Sequence, residues 1–251
     1  MIDVTHRGDT AILTMVHGKA NAFDLELSEA LTNAFDDCGR SRARAVVITA
    51  RGSIFSAGVD LLRVMSGGAS YLDVFLPTVS RTFETVFTFP KPVVAAVNGH
   101  AFAGGCILAC AADSRLMARG PGRIGVPELL VGVPFPTVPL EIIRHAVAPQ
   151  HLQSLVYSGD TFLADAALDR GLVDVVVDAD RLLDAAIDAA EKLAALPPAA
   201  FAMTKNQLRE PALARMREGK TRVDPAVQKR WKAPATLEAI HGYVERTLKK
   251  P

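Results

Sequence analysis

The apolar positions change period as the chain advances. Residues 11–16, AILTMV, follow Gly8-Asp9, and with residues 3–7 before that pair they predict a β-hairpin turned at the glycine. From Leu25 onward, Leu27, Ala30, Leu31, Ala34 and Phe35 recur at helical spacing. Asp24 is placed to cap that helix and Gly39 to end it. Residues 44–50, RAVVITA, and 91–97, KPVVAAV, are apolar runs of the kind found in strands covered on both faces. A helix is expected over residues 70–88, with Pro77 marking a kink or a fresh start, and a short strand over 115–118. Past residue 161 the pattern is mostly helical. Residues 162–173 predict a helix closed by Gly171, 173–177 a last short strand, and 180–196, 198–208 and 234–248 three further helices.

Strand and helix alternate as in βαβ crossovers, so the expected class is α/β with packed layers of sheet and helix. Pro197-Pro198 is the best candidate boundary, dividing a core at 1–196 from a helical C-terminal region at 197–251. That region is amphipathic and needs a surface to bury its apolar face, either its own core or another copy of the chain. The most apolar stretch, residues 92–112, is interrupted by Asn98, Gly99 and His100 and reads as strand, turn and helix rather than a membrane span.

With 28 basic and 27 acidic residues among 251, the charge balance gives no footprint for nucleic acid or an anionic membrane. Basic residues gather late in the chain (Lys229, Arg230, Lys232, Arg246, Lys249, Lys250) and read as solvated helix surface or, alternatively, as a phosphate contact. Cys38, Cys106 and Cys110 are odd in number, and the opening MIDVTHRGD is no signal peptide, so a reducing cytoplasm is expected. A catalytic thiol is not expected, since no neighbour in sequence would depress a thiol pKa.

Three stretches carry candidate chemistry. In NGHAFAGGCILACAAD, residues 98–113, a strand ends at Val97 and a helix begins near Gly104. Its first N–H groups could seat a developing negative oxygen, or the glycines could serve only tight packing. SIFSAGVDL, residues 53–61, bends at Gly58 after a buried strand and exposes amides around Val59; Asp60 beside it reads as a cap or turn residue. In residues 123–142, Glu128 follows Pro127 amid IGV and LLVGV. It is either a desolvated carboxyl with raised pKa, suited to acid–base work, or a first-turn glutamate held by the helix dipole. Glu141 reads as a surface residue, His6 and His17 as loop residues, and His100 as a core or turn residue near the glycines. No metal-ligand spacing, Walker loop or G-x-S-x-G elbow is present.

Together FSAGVDL, KPVVAAVNGHAFAGGCILACAADSRL and IGVPELLVGV resemble the enoyl-CoA hydratase/isomerase family, the crotonase superfamily. SGDTFLADAALDRGLVDVVV is also similar to the segment that follows the active site there, and the likeness runs over about residues 3–208. The resemblance implies a crotonase-like spiral of ββα units with a C-terminal helical region, assembled as a homotrimer or a dimer of trimers. It implies an acyl-CoA thioester substrate, with CoA as part of the substrate and no separate cofactor. The backbone N–H groups of Val59 and Gly104 match the oxyanion hole. Ala20, Ala22, Ala57, Asp60, Leu61 and Ile107 match the substrate-binding positions, and residues 67–70 and the helix after them border the acyl pocket. Hydratases of the family carry two glutamates. Glu128 matches one; Ile107, in GGCIL, stands where the other falls. The resemblance with this departure implies an enoyl-CoA isomerase with Glu128 as its acid–base. The alternatives are a hydratase or another reaction of the family, and, in a different class, a non-catalytic acyl-CoA binding protein.

Overall fold

The computed structural model describes residues 1–247. The chain opens with the hairpin β1 (Ile2–Arg7) and β2 (Thr10–Met15), then α1 (Leu25–Arg40). Three turns of one pattern follow: β3 (Ala45–Ala50), β4 (Ile54–Ser56), α2 (Leu61–Thr88); β5 (Val93–Val97), β6 (His100–Phe102), α3 (Gly104–Ala111); β7 (Ser114–Ala118), β8 (Arg123–Gly125), α4 (Glu128–Val131). The remaining elements are α5 (Thr137–Ala146), α6 (Pro149–Ser158), β9 (Thr161–Leu163), α7 (Ala164–Asp169), β10 (Val175–Val177), α8 (Leu182–Ala194), α9 (Pro198–Arg222), α10 (Asp224–Trp231) and α11 (Pro234–Thr247).

In each turn the first strand joins one sheet and the second joins another. The larger sheet runs β1-β2-β3-β5-β7-β10 and the smaller β4-β6-β8-β9. Within the three turns the paired strands are parallel, with Val46 opposite Val93 and Val94 opposite Ser114, so the chain winds as a spiral of ββα units; β1–β2 and β8–β9 pair antiparallel. β3 and β5 are buried on both faces, as their composition predicts. Val46, Ile48 and Ala95 face the main core; Ala45, Val47, Val94 and Ala96 face α8. Asp24 caps α1 as expected, its carboxylate accepting the Leu27 N–H at 2.7 Å.

Several boundaries differ from the sequence expectation. Gly39 does not end α1, which runs on to Arg40. The helix expected from residue 70 begins at Leu61, and its break falls at Gly68 (φ 60°, ψ −150°) rather than at Pro77, which the helix accommodates. Residues 162–163, expected to open a helix, belong to β9 because residues 161–163 pair with β8. His6, expected in a loop, lies in β1. The helix expected to stop at 208 continues to Arg222 through Pro211 and Gly219, and α10 was not foreseen. The last residue of the helix expected over 234–248, and Lys249 and Lys250, lie outside the described residues. Of the other basic residues there, Lys232 pairs with Asp73 at 2.6 Å, while Lys229, Arg230 and Arg246 are exposed.

The C-terminal helices fold back on the spiral. Ala212, Met216, Trp231, Ile240 and Val244 belong to the same apolar core as β3 and α3. A buried ionic knot adds to this. Asp113, just past α3, accepts the Lys205 ammonium at 2.7 Å, the Arg209 guanidinium at 2.8 Å and the Val93 N–H at 2.8 Å. Lys205 and Arg209 are both buried. Burial pushes the Lys205 ammonium down to about 8 although Asp113 opposes the shift. Glu141, expected at the surface, is buried too. It accepts Arg144 at 2.7 Å and Arg215 of α9 at 2.5 Å, and this second cation lies too far along the chain for sequence spacing to reveal. Removing the shared acceptor by Asp113→Ala leaves two buried cations and is expected to cost about 3–5 kcal/mol, read from urea unfolding. A loss below about 1 kcal/mol would contradict this account of the knot.

Candidate active site

Two loops meet at the start of α3. Gly58 has φ +85°, and a Cβ placed on it would lie 2.7 Å from the Phe102 carbonyl oxygen and 3.2 Å from the Gly104 nitrogen. No side chain fits there, and this closeness brings the Val59 turn against the first residue of α3. A third loop closes the group. Ala57 N–H donates to Ala20 O at 2.9 Å, Phe23 N–H to Gly58 O at 2.7 Å and Asp60 N–H to Phe23 O at 2.9 Å. Phe23 then packs edge-on against Phe83, centroids 5.1 Å apart, beneath Gly104.

Among the described residues, the N–H groups of Val59 and Gly104 have no acceptor. For Gly104 the reason is its place as the first residue of a helix. For Val59 it is the bridge to Phe23, which uses the amides and carbonyls on either side of it. Ala103, immediately before α3, has φ 48°. It donates its N–H to Gly125 O at 2.9 Å and so ties α3 to β8, three residues before Glu128.

Glu128 opens α4 and is 7% exposed. Its Oε2 is buried with no hydrogen-bond partner among the described residues. Burial pushes its carboxyl up to about 8, opposed only by its own backbone N–H. Cys106 is the third residue of α3. The Cys106 thiol is pushed well up by its hydrogen bond with Cys110, by burial, and in smaller part by the Glu128 carboxylate. Ile107 follows, buried in the core.

The other expected positions surround this group. Ala20, Ala22 and Ala57 are half-buried on the joined loops. Asp60 caps α2, accepting the Arg63 N–H at 2.9 Å, and Leu61 is half-buried at its first position. Residues 67–70 lie inside α2 at its break. Three other candidates stand apart. His100 is half-buried in β6 and accepts the Arg123 N–H at 3.3 Å. His17 meets Asp24 at 2.6 Å. Cys38 is buried, with its thiol pushed up by burial. Among the described residues no cluster of His, Cys, Asp or Glu could hold a metal ion, and no helix is long and apolar enough to cross a membrane. Sequence reading missed Asn21 and Ser56, both buried between the loops. Asn21 carries no periodic signal, and Ser56 lies in a three-residue strand too short to show one.

The raised Glu128 carboxyl sets the sign of a pH effect. Its folded pKa lies above its unfolded one, so the folded state holds a proton that the unfolded state has released. Stability contributed by this group is complete below about pH 4.5 and is lost as pH rises toward about 8. Glu128→Gln is expected to flatten that fall, visible as a smaller decrease in urea midpoint between pH 5 and pH 8 than in the parent chain. Equal slopes would show that Glu128 is not desolvated.

The chain matches the enoyl-CoA hydratase/isomerase family over residues 8–250, reaching past residue 208, where the motif likeness ends. It is 32% identical over 243 residues to a carnitinyl-CoA dehydratase of Salmonella paratyphi A, covering 95% of this chain and 90% of the relative. The structure of an enoyl-CoA hydratase from Mycobacterium ulcerans superposes with a TM-score of 0.84 at 29% identity, covering 92% and 99% of the two chains. That of an enoyl-CoA isomerase from Mycobacterium tuberculosis does so with 0.80 at 28%, covering 96% and 97%. With its ββα spiral and a match along almost all its length, the chain belongs to the enoyl-CoA hydratase/isomerase family.

Proposed function

We propose that this enzyme shifts the double bond of a 3-enoyl-CoA to position 2, with Glu128 as its only acid–base. The observation that carries this reading is the buried Glu128 carboxyl, whose Oε2 has no hydrogen-bond partner among the described residues; the family resemblance puts Ile107 where hydratases carry their second glutamate. The thioester oxygen accepts the N–H groups of Val59 and Gly104. Glu128 takes a proton from C2, and the electron pair enters a dienolate whose charge rests on that oxygen. The same carboxyl returns the proton at C4, leaving the double bond between C2 and C3. Atoms and charge balance with no cofactor, and CoA enters as part of the substrate.

Hydration is a harder task for this site. Water must be held and deprotonated while carbon receives a proton, and two carboxylates divide that work. A buried isoleucine can neither hold the water nor carry the proton. The reading of the substrate contacts follows: the CoA moiety lies along Ala20, Ala22 and Ala57, Asp60 and Leu61 flank the thioester, and Ile107 faces the acyl carbons. Assembly as a homotrimer or a pair of trimers belongs to the same reading, and the exposed apolar Leu129, Leu130 and Tyr157 supply surface for it. Three unpaired cysteines suit the reducing cytoplasm. The hydratase and dehydratase names of relatives favour hydration as the second reading.

Separate assays of 3-enoyl-CoA and 2-enoyl-CoA decide between them. Isomerisation is expected to dominate, and hydration of the 2-enoyl thioester at comparable kcat/KM would overturn the assignment. Binding without turnover on either substrate would instead mark an acyl-CoA binding protein. Glu128→Gln is expected to lower kcat by about a hundredfold to ten-thousandfold with CoA affinity within a few fold. In the parent chain kcat/KM should rise with pH to a plateau above about 8, because the free carboxyl must first lose its proton. A flat profile between pH 6 and pH 9 would remove Glu128 from the base role.

A further inference from the structure

We propose that Asn21 and Ser56 are positioning residues that leave the Val59 N–H, and no neighbouring amide, free to meet the substrate carbonyl. The proposal rests on the reading of Val59 and Gly104 as the oxyanion donors.

Four consecutive amides, 57–60, reach this turn. Ala57 N–H is taken by Ala20 O and Asp60 N–H by Phe23 O, both at 2.9 Å. Gly58 N–H is taken by the Ser56 hydroxyl oxygen at 3.2 Å. Only Val59 remains. Without that hydroxyl, Gly58 would hold a second buried, unpaired donor one peptide away. The turn could then rotate to satisfy either donor, and the Val59 N–H would lose its fixed aim. A glycine at 58 offers no steric resistance to such rotation.

The Ser56 hydroxyl is itself fixed. It is fully buried and donates to Asn21 O at 2.7 Å, so its one proton is committed and a lone pair is turned to Gly58. Asn21 O is presented by a left-handed backbone, φ 47°. Its side chain locks that conformation from both ends: Nδ2 donates to Ile54 O at 3.0 Å, and Oδ1 accepts the His17 N–H at 2.8 Å. Asn21 and Ala103 are the two non-glycine residues with positive φ among the described residues. One lies behind each proposed donor, where strained backbone is expected when the surrounding structure aims a group. Ser56 also touches the second donor's helix. A Cβ on Gly105 would lie 2.4 Å from Ser56 O and 2.9 Å from Ser56 Cβ, so the same residue sets the spacing between the two amides.

A merely structural role would lower melting temperature without separating kcat from KM. The test uses Ser56→Ala, Ser56→Cys and Asn21→Gly, the last keeping the left-handed backbone accessible while deleting the side-chain bonds. Each is assayed with 3-enoyl-CoA. The carbonyl stretch of a bound, carbonyl-labelled saturated acyl-CoA is followed by difference infrared spectroscopy. Ser56→Ala is expected to lower kcat between about tenfold and a hundredfold, with KM within about threefold. Its bound carbonyl stretch should return toward the free value, and Ser56→Cys should fall between it and the parent. Asn21→Gly should act in the same direction, and the double variant should lose little more than the worse single one. Ser56→Cys carries the test should Ser56→Ala fail to fold. Folded variants with parental kcat and carbonyl shift would overturn the proposal while leaving the oxyanion reading intact. A parent chain that turns over no thioester and leaves the bound carbonyl unshifted would overturn both.

Discussion

The burial of α3 is the constraint on which the rest of the molecule depends. All eight of its residues are buried and none is charged. A helix of this kind can exist in water only inside a core, and here sheet and helices enclose it. Its first amide has no partner within the helix, yet it opens where two loops converge rather than into bulk solvent. Glu128, three residues past β8, is desolvated as well. In the proposed reading the amides and this carboxyl share one site, and burial then has two effects. An N–H facing a growing negative oxygen acts more strongly in a low-dielectric site than in water. The carboxyl in that site becomes a stronger base than a solvated glutamate, with its pKa pushed up to about 8. In the proposed reaction both effects act on the same step, loss of a proton from carbon with charge moving to oxygen.

So short a helix needs its ends held. At the N-terminal end, Ala103 joins it to β8 and Gly105 lies on Ser56 with no room for a side chain. At the far end, Asp113 leaves the helix and meets Lys205 and Arg209 of α9. Charge is thus kept just beyond the apolar segment, where it fastens the C-terminal region to the core without entering the site. The knot holds two cations to one carboxylate, and burial eases that excess by pushing Lys205 down toward release of its proton.

What the sequence made legible follows from how local each cause is. The long strands β3 and β5 announce themselves by unbroken apolar runs, and α1 by its period and the Asp24 cap. The smaller sheet was invisible to periodicity, because its four strands have three residues each. Their pairing comes from partners 20 to 50 residues away, and the spiral itself was expected from the family likeness of the motifs. The site was legible in part. Gly58, Gly104 and Glu128 stand in recognisable surroundings, and the desolvation of Glu128 could be argued from its apolar neighbours. Asn21 and Ser56 could not be found this way. Their role depends on bonds across 35 residues of chain between loops with no period. Glu141 misled for the same reason, its cation Arg215 lying on a helix whose length Pro211 and Gly219 concealed.

In the proposed reading, an isoleucine at position 107, where the family resemblance implies a carboxylate, changes more than the handling of water. Two carboxyls sharing a desolvated pocket repel when both are ionised, so their proton affinities are coupled and driven apart. Such a pair suits chemistry with separate acid and base roles, as hydration requires. A lone carboxyl has no partner to exchange its proton with, and in the proposed reading an isoleucine facing it gives solvent no hydrogen-bonded route in. The proton lifted from one carbon then stays on the group best placed to deliver it to another carbon of the same chain. In the proposed reading, Ile107 favours a double-bond shift because it removes competing partners for both the proton and the dienolate. In that reading the family fold supplies the amides and the buried base, and the residue at position 107 decides whether that base works alone.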